Sequence, residues 1–253
     1  MLAQAAAIVA AAGCLLAMPH AFGGTATINV TPTQLVLPRP GATTSLMLRN
    51  ESDEPARFQV TGHRWSNTSD GQIALEPTSD LIFFPTVFTL EPRQTRRLRI
   101  ACKLAASARE LTYRLILEQL PALQRPPDGG VQMLMRASVP VFVQPSTLIA
   151  KATLAPASFA RDEVQVDLRN HGTVHVRVQE IVVRAEDAAG AVLHEARVAG
   201  WYVLPEETRR FRVPMPSAIC ERVRAIGVTA TFASGFDKPL VERTPTPAGA
   251  CGG

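Results

Sequence analysis

Residues 131–145 read VQMLMRASVPVFVQP. Their alternation predicts one extended strand of about fifteen residues, whereas strands usually have about five or six. Val131, Met133 and Met135 would lie on one face, because alternate side chains of a strand point the same way. Such a strand is expected to extend beyond its own sheet and to offer this apolar row to a strand of another chain. The alternative is a strand buried wholly within its own domain.

The chain that follows residue 26 has the pattern of an all-β protein. Turn-forming residues recur at intervals of about eight to twelve positions, and no stretch keeps a helical period for long. Apolar and polar residues alternate in two series, as expected for strands with one buried face. The first series comprises Leu46 and Leu48, Phe58 and Val60, Leu98 and Ile100, and residues 111–117; the second comprises residues 164–168, 174–178, 211–213 and 226–232. We therefore predict two β-sandwiches, at residues 27–145 and 146–246, joined by a short linker at 144–147 and followed by a tail at 247–253.

The first 26 residues are typical of a secretory leader. They contain no Asp, Glu, Lys or Arg, and residues 5–17 form an alanine-rich apolar run that is too short to span a bilayer. Small residues favour cleavage after Ala21 or Ala26, so we expect an exported protein. The net charge of +4 is modest and spread along the chain, which does not favour nucleic-acid binding.

Removal of the leader would leave three cysteines, Cys102, Cys220 and Cys251, in an oxidising compartment. A bridge from Cys220 to Cys251 would close a loop of about thirty residues and contribute about 3 kcal/mol in the chain-entropy model. The alternative is that Cys251, in the tail, is unpaired. Because the number is odd, at least one thiol stays free or pairs with another molecule.

Several segments carry a resemblance to a known family. They are TPTQLVL with SLMLRN, the region of Trp65, FTLEPRQTRRLRI, RELTYRLILEQLP and SVPVFVQP. In order and spacing they resemble the PapD-like periplasmic pilus chaperones over essentially the whole mature chain. The resemblance implies two immunoglobulin-like sandwiches in an L-shaped arrangement, no enzymatic activity and no cofactor.

The resemblance also implies a mechanism and partners. In that family the last strand of the first domain is lent to a pilus subunit whose own sandwich lacks a strand, a form of β-augmentation. Val131, Met133 and Met135 would be the donated side chains, and residues 122–130 would lead into the strand and help to contact an outer-membrane usher. The partners would be a pilus or spore-coat-U-like subunit and that usher, in the periplasm. Whether the free protein caps its strand by dimerising stays open.

The sequence departs from the better-known branches at two positions. Those branches bind the subunit's terminal carboxylate with an Arg and a Lys, and by spacing these positions are Gln34 and Pro140 here. Neither side chain carries a charge, and the PVFV run resembles the archaic, spore-coat-U or Csu-type branch. Pro140 lacks a backbone donor, which fits an edge or bulge position in a strand. The resemblance therefore implies that the apolar row carries more of the recognition.

Other positions match the family in part. Glu110 corresponds to an acidic residue near the domain junction and Arg99 to an Arg that closes an early strand, whereas the family's basic linker residue falls on Gln144. Glu110 is interpreted as an inter-domain orienting group or, alternatively, as a surface carboxylate. Arg93, Arg96, Arg97 and Arg99 form a run that lines a cleft, meets an acidic partner or is the solvated face of a strand.

Two alternatives belong to other classes. One is a secreted two-domain structural or adhesive protein without chaperone activity, in which residues 131–145 pair internally. The other is an enzyme with a metal at His171 and His175, but a metal site needs at least one more ligand. The sequence contains no Gly-x-Ser-x-Gly, phosphate-loop, paired CxxC or HExxH motif, so we expect no metal.

Overall fold

The computed structural model describes residues 27–68, 71–105, 107–121, 133–160 and 162–246. These ranges contain ten strands before residue 145 and nine after it. The first ten are β1 (Ile28–Thr31), β2 (Leu35–Leu37), β3 (Thr43–Asn50), β4 (Ala56–Asn67), β5 (Ile73–Pro77), β6 (Leu81–Phe84), β7 (Val87–Leu90), β8 (Thr95–Cys102), β9 (Leu111–Leu120) and β10 (Arg136–Val143). The remaining nine are β11 (Ala152–Leu154), β12 (Ser158–Ala160), β13 (Glu163–Asn170), β14 (Val176–Glu186), β15 (Val192–Ala199), β16 (Tyr202–Val203), β17 (Thr208–Pro214), β18 (Ala225–Phe232) and β19 (Leu240–Pro245). A short 3₁₀ helix, Ser217–Arg222, precedes β18.

The first sandwich consists of two sheets. The first sheet has the order β1-β3-β8-β6, and the second has the order β2-β10-β9-β4-β5, with β7 also paired to β4. The pairing of β10 with β2 is parallel, whereas β10 and β9 are antiparallel over the whole of β10. Between the sheets lies a continuous core that includes Leu46, Phe58, Leu98 and Leu115.

The second sandwich repeats this plan. It also consists of two sheets. One has the order β11-β13-β12, with β17 paired to β13, and the other has the order β15-β14-β18-β19, with β16 paired to β14. Val164, Val166, Ile226 and Val228 lie in its core. The alternating series predicted from the sequence therefore supply the buried faces of both sandwiches, as expected for sheets with one apolar face.

A buried asparagine occupies the same structural position in each sandwich. Asn50 ends β3, and its Nδ2 donates to the carbonyls of Glu54 at 2.7 Å and Leu90 at 3.2 Å. Asn170 ends β13, and its Nδ2 donates to the carbonyls of Val174 and Val203, both at 2.9 Å. Because a buried polar group must find partners, each amide fixes a turn against a distant strand.

The strand predicted for residues 131–145 is shorter in the structure. The regular strand is β10, Arg136–Val143, and residues 133–135 are not part of it. The last backbone bond of this pair joins the Gln119 N–H to the Met135 carbonyl at 2.8 Å. Since β9 ends at Leu120, immediately before Pro121, no neighbouring strand in the described ranges continues the ladder. The prediction of one strand of about fifteen residues was therefore wrong for residues 133–135 and for residues 144 and 145. Residues 131 and 132 lie outside the described ranges.

Candidate functional site

The inner face of β10 extends an apolar row out of the core. Val139, Val141 and Val143 are buried in the first sandwich, and Met135 packs against the same core with part of its surface exposed. Met133, two residues further out, is 69% exposed. The row therefore passes from buried to exposed in the direction of residue 131. Val131, the third residue predicted to be donated, lies outside the described residues.

One edge of β10 is open over part of its length. Gln119 donates to the Met135 carbonyl, so the odd-numbered residues of β10 direct their backbone groups toward β9 and the even-numbered ones direct theirs away from it. The pairing with β2 begins only at Val141. The backbone of Arg136, Ser138 and Pro140 therefore faces an edge on which the described residues place no strand. Pro140, which lacks an N–H, lies where this open edge ends.

One row across the second sheet contains Gln34, Pro140, Arg114 and His63, in that order. Pro140 is paired with Arg114 on β9, and Arg114 is paired with His63 on β4. On the other side, Val141 is paired with Leu35, so Gln34 lies next to Pro140. Pro140 is thus the direct neighbour of a cation one strand away, and Gln34 lies one strand further from that cation; these are the two positions where the resemblance places basic residues.

Arg114 is the functional candidate that the sequence reasoning missed. It is only 5% exposed, and its guanidinium carbon lies 3.8 Å from the ring centre of Trp65. Nη1 makes one long hydrogen bond of 3.5 Å to the Ser138 carbonyl, whereas Nε and Nη2 have no partner among the described residues. Burial lowers the pKa of this guanidinium, because a low dielectric disfavours the charged form. The arrangement is suited to binding a carboxylate, which pairs with two guanidinium donors at once.

Aromatic and aliphatic side chains of both sandwiches cover this row. Trp65 and Phe142 of the first sandwich form a buried cluster with Tyr202 and Leu204 of the second. The rings of Trp65 and Tyr202 meet edge to face with centres 5.5 Å apart. The Tyr202 hydroxyl donates to Gln34 Oε1 at 3.0 Å. Gln34 thus serves as a contact between the sandwiches in this structure.

Glu110 contacts the second sandwich beside this cluster. Its carboxylate oxygen Oε2 accepts hydrogen bonds from the His175 backbone N–H at 2.8 Å and from its Nδ1 at 2.6 Å. The Glu110 N–H donates to the Thr173 carbonyl at 2.8 Å. The His175 ring also stacks on Phe142 of β10, with ring centres 3.7 Å apart. Gln144, where the resemblance places a basic linker residue, instead donates its N–H to the Leu37 carbonyl, and His175 takes the contact with Glu110.

The predicted arginine run is divided between different environments. Arg93 pairs with Asp53 at 2.7 Å, and Arg96 lies over the Phe88 ring at 5.5 Å. Arg97 and Arg99 are exposed on β8, and among the described residues no hydrogen bond or ion pair joins Arg99 to the second sandwich. The structure therefore does not bring Arg99 together with Gln34, Glu110 and Pro140.

The cysteines and histidines occupy separate places. Cys102 is a buried free thiol and Cys220 is disulfide-bonded, while Cys251 lies outside the described residues, so its pairing stays a prediction. His171 contacts Thr153 at 3.0 Å, away from the contact of His175 with Glu110. Within the described ranges, no group of three or more His, Cys, Asp and Glu side chains could hold a metal ion. No helix in the described part of the chain is long and apolar enough to cross a membrane.

The fold and these contacts define a class of protein: two joined immunoglobulin-like sandwiches with an incompletely paired last strand at the junction. Residues 27–149 match the family model of the pili and flagellar-assembly chaperones, in its PapD N-terminal domain. Residues 27–149, which span the first sandwich, therefore belong to this family of pilus chaperones, whose members are not enzymes. No curated protein matches the sequence.

Solved structures of pilus chaperones share the fold. A chain of the CsuC–CsuE chaperone–tip adhesion subunit complex from the archaic Csu pili of Acinetobacter baumannii aligns with a TM-score of 0.57 and 18% identity, covering 87% of this chain and 98% of that one. The YadV chaperone aligns with a TM-score of 0.59 and 12% identity, covering 87% and 99%. A chain from the Salmonella enterica complex of SafA pilin with the SafB chaperone aligns with a TM-score of 0.53 and 15% identity. The alignment covers 87% of this chain and 97% of that one.

Proposed function

We propose that this pilus chaperone holds a pilus or spore-coat-U-like subunit by lending it residues 131–135, and delivers the subunit to an outer-membrane usher. Two neighbours come from complexes of a chaperone with its subunit, which supports a partner of this kind. The leader-like residues 1–26 support export to the periplasm. The functional units would be an N-terminal chaperone domain, 27–145, and a C-terminal domain, 146–246.

The observation that carries the proposal is that the apolar side chains of β10 and of the residues before it become more exposed from Val143 toward Met133. Met135 still contacts the core, Met133 does not, and the backbone edge beside them is open. A subunit that lacks a strand exposes both an apolar groove and unpaired backbone groups, which are costly in water. The lent segment would satisfy both needs. Full burial of each apolar side chain contributes about 1.5 to 3 kcal/mol before the cost of association is subtracted.

Arg114 extends the proposal to the subunit's terminal carboxylate. Its two free donors lie next to Pro140 in the row that also contains Gln34. A carboxylate that reached this guanidinium would compensate a buried charge that has no anionic partner among the described residues. Because Arg114 is almost fully buried, the carboxylate reaches it only when the side chains around it move apart. Recognition would then rest on both the apolar row and one cation.

The proposal is tested by coexpressing the chaperone with its cognate subunit while Met133 and Met135 are changed to Asp, singly and together. We expect the soluble complex to be lost, because a carboxylate cannot enter an apolar groove without a large desolvation cost. The matched control is Val192→Asp with Val241→Asp, since both valines are exposed on strands of the second sandwich. The Met133→Asp variant separates binding from folding, because its side chain is mostly exposed in the free chain.

Two outcomes would contradict the proposal. Undiminished recovery of the complex with the double aspartate variant would exclude the lent strand. If the wild-type protein purified from the periplasm without any small apolar partner even when subunits are coexpressed, a structural or adhesive protein would be the better description.

A further inference from the structure

The outer face of the first sheet has an unusual composition for a solvent-facing surface. The register places Phe84 of β6 beside Arg99 of β8 and Ser45 of β3, and places Ile82 beside Ala101 and Thr43. Phe84 is 76% exposed and Ile82 is 57% exposed. Outer faces of antiparallel sheets are usually polar, so adjacent large apolar side chains at the edge of one indicate a surface for interaction.

The same face is basic, and none of its outward strand positions in the described residues is acidic. Its outward positions are Asn29, Thr31, Thr43, Ser45, Met47, Arg49, Ile82, Phe84, Thr95, Arg97, Arg99 and Ala101. Arg49 pairs with Glu51 at 2.8 Å, whereas Arg97 and Arg99 have no acidic partner within the described ranges. The charge that complements this surface is therefore negative. Two copies of the chain that met through this face would bring like charges together, which is unfavourable.

The edge of this sheet is open to a further strand. Among the strands that the structure describes, β6 is the last in the order of this sheet, and its one partner is β8. The Lys103 N–H donates to the Asp80 carbonyl at 2.9 Å, so even-numbered residues here bond toward β8, and Leu81 and Phe83 direct their backbone groups outward. Unpaired strand edges accept the strands of other chains. These backbone groups favour a polypeptide over a charged lipid surface, which offers no strand to pair with them.

We infer that β6, together with the outer face that carries Ile82, Phe84, Arg97 and Arg99, docks an extended protein segment with acidic and large apolar side chains. The segment adds alongside β6 and covers Ile82 and Phe84 with its apolar residues. A strand added there lies about 10 Å from β8, two strand spacings away, so its glutamate or aspartate side chains extend toward Arg99. This surface is separate from the open edge of β10 and does not depend on the lent strand.

The probe is a blocked octapeptide that alternates glutamate with valine and phenylalanine, and its counterpart has lysine in place of glutamate. Both are titrated against the full chain, with amide chemical shifts as the readout. We expect the glutamate peptide alone to bind and to shift the amides of Leu81 and Phe83. Phe84→Ser should weaken binding about tenfold to a hundredfold, as the loss of one buried aromatic side chain predicts. Arg99→Glu should weaken it about fivefold, and added salt should weaken it further.

Met133→Ser is the matched control, because Met133 is similarly exposed but lies at the tip of β10. It should leave the shifts at β6 unchanged. Equal binding of the two peptides, or dependence on Met133 in place of Phe84, would overturn the inference. Vesicles of anionic phospholipid form a third arm: binding to vesicles without binding to the peptide would assign the face to a membrane surface. Absence of binding to any of the three probes would also overturn it.

Discussion

Arg114 carries a buried charge, and its Nε and Nη2 donors have no hydrogen-bond partner among the described residues. Removing an ion from water costs several kcal/mol unless partners compensate it, and here the compensation is the Trp65 ring and one long hydrogen bond. A residue kept for stability alone would usually be paired more completely. The free chaperone therefore carries an energetic cost at the place where, in our proposal, a carboxylate binds.

Arg114→Met separates these two roles. Since methionine fills a similar space without charge, we expect the free chain to be as stable as the wild type or more stable. The complex with the subunit should weaken by about tenfold to a hundredfold, the value of a hydrogen bond to a charged group. Urea unfolding measures the first quantity, and the half-life of the complex against a competing donor peptide measures the second.

The control for this prediction is a change in the subunit in place of a change in the chaperone. A subunit extended at its C terminus has its carboxylate displaced, and it should bind the wild-type chaperone as weakly as the natural subunit binds the variant. A loss of chaperone stability with unchanged complex lifetime would assign Arg114 a purely structural role.

At the scale of elements, β10 and the residues that lead into it have two parts: a root inside the first sandwich, and a tip formed by residues 133–135 before the strand. Val141, fully buried between β2 and β9, belongs to the root, and Met133 belongs to the tip. We expect Val141→Ala to lower the free energy of unfolding by about 2 kcal/mol and Met133→Ala to change it by less than about 0.5 kcal/mol. Urea denaturation of the free chain measures both. A comparable loss from Met133→Ala would mean that the tip holds the chaperone's own fold together.

The same strand shows what the sequence could and could not predict. Alternation predicted Met133 and Met135 on one face, because side-chain direction depends only on the strand's own period. It could not show where the ladder ends, since that depends on where β9 stops. Pro140 was correctly expected at an edge, because a missing N–H has the same consequence in any strand.

Arg114 was missed for a different reason. It alternates with Tyr113 and Leu115, so the one-face rule assigns it to solvent. The second sandwich covers that outer face with Tyr202 and Leu204, and contacts between distant parts of the chain leave no local periodicity. The available signal was an arginine flanked by large apolar residues, Tyr113 before it and Leu115, Ile116 and Leu117 after it.

For the whole molecule, the contact of Glu110 with His175 is the most buried polar link between the sandwiches that the described residues contain. Glu110→Ala would leave the His175 N–H without its acceptor, which typically costs about 1 to 3 kcal/mol. We expect a lower free energy of unfolding and a broader distribution of angles between the sandwiches. Residual dipolar couplings measured for both sandwiches test the angle, and urea unfolding tests the stability.

Glu206→Ala is the control at the same junction. The ion pair of Glu206 with Arg109 is 3.7 Å long and largely exposed, so its loss should cost less than about 1 kcal/mol. Unchanged dipolar couplings in Glu110→Ala would show that the aromatic cluster alone fixes the orientation.

The position of Pro140 also sets a limit on length. Beyond it the edge of β10 is occupied by β2, and before it only Arg136 and Ser138 of the strand offer backbone donors to an added chain. Any strand that pairs along this edge must therefore stop at Pro140, whatever its own length. One end of the shared backbone is therefore set by the chaperone, so subunits with different grooves would all end their pairing at the same residue, Pro140.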